Sequence, residues 1–300
     1  MAPTSSSEAP FGRVLTAMIT PFTEDGGLDV EGAQRLAVHL VDHGNDGLVL
    51  NGTTGEAPTT SDVEKDQLIR AVREAVGDRA FLVAGVGTYD THHSIELARR
   101  AERAGADGLL VVTPYYSKPP QDGLQRHFTM VADATGLPVM LYDIPQRSGV
   151  PIEPETIRRL AERPTIVAVK DAKDSIGASS EVLARTALAY YSGTDMMNLP
   201  LLAIGGCGFV SVVGHLVSGE LRAMVDAFVA GDPIKAREIH HRLLPVYTGI
   251  MNRTQGAIAI KATLNRYGLP AGPVRPPLID VSDEIAARIR GDLESAGLGL

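Results

Sequence analysis

A chain of 300 residues, 44% of them hydrophobic, is long enough for one large domain or two ordinary ones built on a substantial core. Its net charge of −8 argues against nucleic acid and anionic membrane surfaces as partners, and no run of roughly eighteen apolar residues offers a membrane-spanning helix. A single cysteine, Cys207, rules out an intramolecular disulfide and favours a reducing, cytoplasmic compartment.

Residues 1–10 are small and polar, with no basic or apolar region of the signal-peptide kind, and are expected to form a disordered tail. Short apolar runs then alternate with helical patterns. A strand over 14–20 is stopped by Pro21, and a helix over 30–43 carries Leu36 and Leu40 at helical spacing before Gly44 ends it. Strands follow over 47–51, 81–85, 108–113, 138–143, 165–170, 189–192 and 208–212. Between them lie helical patterns over 61–76, 91–104, 121–135, 154–162, 179–187 and 196–204, with Ser61 as an N-terminal cap and Pro154 in a first turn. Eight strands with intervening helices predict an α/β fold, a (β/α)8 TIM barrel over 11–217. A doubly wound sheet is less well supported, because Gly85-Val86-Gly87 lacks the third glycine of a dinucleotide fingerprint. The remainder, 218–300, reads as a C-terminal helical appendage over 220–230, 233–252, 257–267 and 283–296, with packing and assembly as its expected roles.

In such a barrel the polar residues at the C-terminal ends of the strands are the candidates for chemistry. Strand six is β-branched and apolar up to Lys170. A strand-end lysine ordinarily emerges into solvent, but burial lowers an amine's pKa and yields a nucleophile toward carbonyl carbon. After strand two, Asn51-Gly52-Thr53-Thr54-Gly55-Glu56 places two hydroxyls between glycines, a turn whose exposed N–H groups suit a small carboxylate. Tyr115 and Tyr116 follow strand four, Tyr142 and Arg147 lie at and beyond the end of strand five, and Gly193-Thr194-Asp195 follow strand seven. Tyr142 as a core aromatic, or Arg147 as a solvated charge, is ordinary by itself. Together they suit Schiff-base chemistry on a keto acid with a second, anionic substrate. The histidines are not expected to bind metal. His39 and His43 share a spacing that can, but on a helix of the outer ring, while His92-His93 and His240-His241 point to different faces. Cys207 is expected as a small packed residue, and no metal or organic cofactor is called for.

Four motifs, GTTGE at 52–56, VTPYY at 112–116, LYDIPQRSG at 141–149 and VAVKDA at 167–172, resemble those of the dihydrodipicolinate synthase family of class I pyruvate-dependent aldolases. The resemblance extends from about Leu15 to the C-terminal helices. It implies that Lys170 forms a Schiff base with pyruvate, that Tyr142 relays protons and orients the adduct, and that Thr53 hydrogen-bonds it. Thr54 would help hold the pyruvate carboxylate, Arg147 would bind the carboxylate of L-aspartate 4-semialdehyde, and backbone at Gly193 and Val210 would line the pocket. Tyr116 would complete the relay from the neighbouring subunit of a tight dimer, within a homotetramer built as a dimer of dimers. The implied product is 4-hydroxy-tetrahydrodipicolinate, on the path to lysine and diaminopimelate. Sister lyases acting on N-acetylneuraminate or 2-keto-3-deoxy sugar acids, and a non-catalytic keto-acid sensor, are the competing readings. Asp143, Ala57 and Thr194 depart from the common asparagine, serine and aspartate. The family's lysine-effector positions also differ: the glutamate reads His93, the asparagine Tyr89 and the histidines Asp62 and Lys65, with Tyr115 retained, so feedback by lysine is expected to be weak or absent.

Overall fold

The computed structural model describes residues 9–298. Eight parallel strands close into a barrel in sequence order. They are β1 (Val14–Ala17), β2 (Gly47–Leu50), β3 (Phe81–Gly85), β4 (Gly108–Val112), β5 (Val139–Asp143), β6 (Ile166–Asp171), β7 (Ala189–Ser192) and β8 (Gly208–Ser211). Helices α1 (Val30–Asp42), α2 (Asp62–Val76), α3 (Thr91–Ala104), α4 (Gln121–Ala132), α5 (Pro145–Ser148), α6 (Pro154–Leu160), α7 (Ile176–Leu183) and α8 (Asn198–Ala203) fall in the connections. Then come α9 (Gly214–Val229), α10 (Pro233–Met251), α11 (Gly256–Arg266) and α12 (Asp283–Ser295).

Alternation along each strand divides the apolar residues between two cores. Leu15, Val49, Val83, Leu110, Met140, Ala168, Tyr191 and Val210 fill the barrel. Their neighbours Val14, Leu48, Leu82, Leu109, Leu141 and Val169 face the helices. The base is closed by Phe11, whose ring meets Phe81 and Tyr191. The Tyr191 hydroxyl accepts from the Phe11 N–H at 3.2 Å and donates to the Gly12 carbonyl at 2.9 Å. The expected tail over 1–10 falls largely outside the described residues, but its last part does not behave as a tail, since Ala9 is buried against this plug.

Helix starts follow local chemistry. Ser61 and Glu64 form a reciprocal capping box on α2, and Asp29 caps α1. Two expectations move. Helix α7 begins and ends before the expected 179–187. The expected boundary at 217/218 falls inside α9, which starts at Gly214, passes through non-helical angles at Val217 and packs on β1 and α1 as the eighth barrel helix. The helices beyond the barrel are therefore α10 to α12.

Barrel closure depends on close backbone approach at Gly208. A Cβ there would lie 2.1 Å from the Arg13 carbonyl oxygen, at the β1–β8 seam. Backbone cannot yield as a side-chain tip can, so Gly208→Ala should destabilise the fold by about 2–3 kcal/mol, read from the shift in urea midpoint at unchanged slope.

Candidate active site

The register of β5 and β6 sets Tyr142 directly beside Lys170 on the barrel's inner face. The lysine amine lies 4.1 Å from the centre of the Tyr142 ring, and both side chains are buried. Desolvation pulls the Lys170 amine down to about 7, helped by the positive charge of Arg147 and opposed by the carboxylate of Asp195. Burial pushes the Tyr142 phenol up to about 12, against Arg147 and a hydrogen bond from Thr53. At neutral pH the pair therefore offers a substantially unprotonated amine beside a protonated phenol. Gly193 packs against the lysine stem, where a Cβ would come within 3.0 Å of Lys170 Cγ and Cε.

A cleft of about 230 Å³ opens at the C-terminal ends of the strands and reaches Tyr142, though not Lys170 itself. Tyr142, Thr53 and Arg147 line it, with Tyr115, Ala57, Pro58, Ile144 and Ser148. Arg147 is carried by the short turn α5, whose Ser148 hydroxyl is held by the Ile144 and Val150 carbonyls. The Asn51–Glu56 turn packs tightly beside Gly85, where a Cβ would meet the Asn51 carbonyl oxygen at 2.3 Å. Thr54 is buried within that turn, and Val210 is buried on the inner face of β8. Of the eight expected residues, Thr53, Tyr142 and Arg147 line the cleft, whereas Lys170, Thr54, Gly193 and Val210 sit outside its lining. Tyr116 has φ +73°, is 92% exposed and does not line the cleft of its own chain. Its neighbour Tyr115 does, packing edge-on to Tyr89 with ring centres 5.4 Å apart.

Asp195 emerges as a structural centre that motif reading named without a role. Its buried carboxylate accepts from the Ser211 hydroxyl, from the Val212 and Val213 N–H groups at 3.1 and 3.2 Å, and from the Asn198 amide at 3.3 Å. It thereby ties the loop after β7 to the end of β8. The departure at Asp143 is matched by a cation, since Lys173 Nζ reaches its carboxylate at 2.9 Å and the Ile152 N–H donates to it at 3.1 Å. Cys207 is buried and its thiol donates to the Tyr190 carbonyl, with burial pushing it up to about 12.

Residues of the C-terminal region pack against the turn after β2, next to the site. Lys261 on α11 pairs with Glu56 at 2.7 Å, and the Arg275 N–H donates to the same carboxylate at 2.8 Å. A lysine directly after the apolar run Ala257-Ile258-Ala259-Ile260 signals a buried cation, but nothing local names Glu56 as its partner.

Comparison with known proteins gives consistent matches. The model of the Dihydrodipicolinate synthetase family matches residues 10–296. The 4-hydroxy-tetrahydrodipicolinate synthase 2 of Streptomyces coelicolor is 67% identical over 300 residues, covering 100% of both chains. The 4-hydroxy-tetrahydrodipicolinate synthase of Acidothermus cellulolyticus is 65% identical, over 98% of this chain and 95% of that one. Among solved structures, DHDPS from Cyanidioschyzon merolae with lysine bound superposes with a TM-score of 0.94 at 40% identity, covering 96% of this chain and 99% of that one.

The depressed amine gives a direct test. Labelling of Lys170 by a small amine-directed reagent should rise with pH through about 7 and level off, because the neutral amine is the reacting form. Surface lysines should keep climbing toward roughly pH 10. Peptide mapping across the titration separates the two, and a Lys170 profile that tracks the surface lysines contradicts the desolvated site.

Proposed function

The chain belongs to the Dihydrodipicolinate synthetase family, and from that premise we infer that it condenses pyruvate with L-aspartate 4-semialdehyde to 4-hydroxy-tetrahydrodipicolinate in lysine biosynthesis. The observation that carries the residue assignment is the desolvated Lys170 amine against Tyr142, which itself lines a cleft together with Arg147. Lys170 attacks the keto carbon of pyruvate, and the resulting carbinolamine loses water to give an iminium. The iminium acidifies the methyl group, which loses a proton to become the nucleophilic carbon of an enamine. That carbon attacks the aldehyde, and the developing alkoxide takes its proton through Tyr142, Thr53 and Tyr116. The substrate's own amine then adds to the regenerated iminium carbon, closes the ring and expels Lys170.

Thr53 and Thr54 receive the pyruvate portion, with the backbone of Gly193 and Val210 along the pocket wall. Arg147 receives the carboxylate of the semialdehyde, for which its planar fork is suited. The exposure of Tyr116 supports a relay completed between subunits, each chain supplying this tyrosine to a neighbour within a homotetramer. The lysine serves as electron sink, so the mechanism uses no cofactor. The lone cysteine supports a cytoplasmic location. No helix of the described residues is long and apolar enough to cross a membrane.

Borohydride reduction in the presence of pyruvate tests the covalent step. It should add one pyruvate-derived mass to the peptide containing Lys170, and Lys170→Ala should abolish both labelling and turnover. Arg147→Ala should still trap pyruvate but lose at least about a hundredfold in kcat/KM for the semialdehyde, the scale of a lost charged contact of roughly 3 kcal/mol. Collapse of trapping with unchanged semialdehyde dependence would reverse the two carboxylate assignments.

Regulation follows from the residues around the mouth. The Asp62 carboxylate is engaged by His93, 3.1 Å from each oxygen. The Lys65 ammonium is turned into its own loop, donating to the Ala57 and Thr60 carbonyls. No carboxylate at these positions is left to meet the ammonium of a bound lysine, whose desolvation then goes uncompensated. Initial rates at subsaturating pyruvate should fall by less than about half as L-lysine rises to millimolar levels. Saturable inhibition in the sub-millimolar range would demonstrate a working effector pocket.

A further inference from the structure

Among the described residues, the buried Glu56–Lys261 ion pair joins the turn after β2 to a helix more than two hundred residues away in sequence, and the mechanism above makes no use of it. Both side chains are almost fully buried, with 1% and 2% of their surface exposed. Glu56 stands at φ +55°, in the left-handed region that favours glycine, so something outside the turn must hold it there. Its own N–H donates to the Thr53 carbonyl at 3.1 Å, and the next N–H, of Ala57, donates to the Gly52 carbonyl at 3.2 Å. The conformation of Glu56 is thus coupled through one backbone hydrogen bond to Thr53.

Its far side is anchored to the C-terminal region. Lys261 Nζ donates to the Pro273 carbonyl at 2.8 Å as well as meeting Glu56, and it lies 3.9 Å from the centre of the Phe22 ring. The Arg275 guanidinium lies 4.0 Å from the same ring and binds the Gly26 and Thr59 carbonyls and the Glu64 carboxylate, while its N–H donates to Glu56. The Gly55 carbonyl accepts from the Thr20 hydroxyl at 2.7 Å. Three basic side chains (Lys65, Lys261 and Arg275) converge on residues 56–60, at and just beyond the end of the turn.

A buried ion pair contributes little net stability compared with an apolar pair of the same shape; its attested use is to fix register and orientation. Building on the reading in which Thr53 and Thr54 receive pyruvate, we propose that Glu56 and Lys261 are positioning residues that hold the Thr53–Thr54 turn in its substrate-binding geometry, making the C-terminal helices part of the apparatus that sets pyruvate affinity. Neither side chain touches substrate. Lys261 acts through Glu56, and Glu56 acts through the Thr53 carbonyl.

The double variant Glu56→Gln/Lys261→Met removes both charges while leaving no uncompensated ion. It should fold, with a melting temperature within a few degrees of wild type. The KM for pyruvate should rise about tenfold while kcat falls less than about threefold, as expected of a displaced binding turn. The KM for the semialdehyde should move less than about twofold, because Arg147 sits on a separate turn. If the double variant does not fold, Glu56→Gln, which breaks the ion pair while Lys261 keeps the Pro273 carbonyl, is assayed in the same way with the same expectation. Unchanged pyruvate KM in a folded variant overturns the proposal, as does an equal rise in both KM values, which marks general loosening. Pyruvate and borohydride labelling of wild-type Lys170 is run alongside. Labelled wild type with an unaffected variant sinks the positioning role alone, whereas unlabelled wild type sinks the pyruvate reading on which it rests.

Discussion

An ammonium ion taken out of water loses several kcal/mol of effective hydration unless a counter-charge replaces it. The mouth of this barrel is arranged so that at Lys170 the replacement is incomplete. The side chain points inward because β6 alternates, with Ala168 below it on the same face and Val169 turned to the helices. Tyr142 covers one side of the amine and Gly193 admits the stem on another. Asp195, the carboxylate that acts favourably on the ammonium, is itself committed to Ser211, Asn198 and two N–H groups. Arg147 acts in the opposite sense. The outcome is an amine near the midpoint of its titration at neutral pH, the state in which a lysine can both attack a carbonyl and later accept a proton.

The other buried lysines show what full compensation looks like. Lys261 meets a carboxylate at 2.7 Å and, although burial still lowers it to about 8, it stays predominantly charged at neutral pH. Lys65 spends its three donors on two carbonyls and a hydroxyl of one loop. Lys173, on the strand-six loop three residues beyond Lys170, pairs with Asp143. Lys170 has no ion-pair partner among the described residues. One residue type is therefore left with a depressed pKa or held as a charged brace according to the acceptors within reach, and only the structure reveals which acceptors those are.

That division also explains what was legible in the sequence. The strands and most helices follow from apolar period and from caps such as Ser61 with Glu64, all local signals. Lys170, Tyr142 and Thr53 could be placed at one mouth because a parallel barrel brings every strand's C-terminal end to the same face. Helix α9 starts ahead of its sequence signal because its first turn holds Gly214 and is interrupted at Val217, so the helical period is masked where the helix starts. Lys261 and Arg275 were beyond reach for another reason. They lie on the last helices and the segment that joins them, and nothing in their own neighbourhood points to a turn after β2. Tyr116 is legible as a residue but not as geometry, since its side chain is exposed and lies off the cleft of its own chain.

Strand parity gives the departures from the family pattern their physical meaning. Tyr142 and Asp143 are consecutive, so one faces the barrel interior and the other the layer beneath the helices. Asp143 is therefore separated from the chemistry by the strand itself. Its contacts run to Lys173 on the neighbouring loop and to the Ile152 N–H, which closes the segment bearing Arg147. Burial raises the Asp143 carboxyl above its ordinary range even with Lys173 beside it, so the pair is held under a desolvation cost that the Ile152 hydrogen bond helps to offset. A carboxylate with its own lysine can thus replace a neutral side chain behind the sheet while the groups in front, Tyr142 and Lys170, keep their separation and protonation. Variation of this kind acts on the placement of the segment bearing Arg147 before it acts on the Tyr142–Lys170 pair.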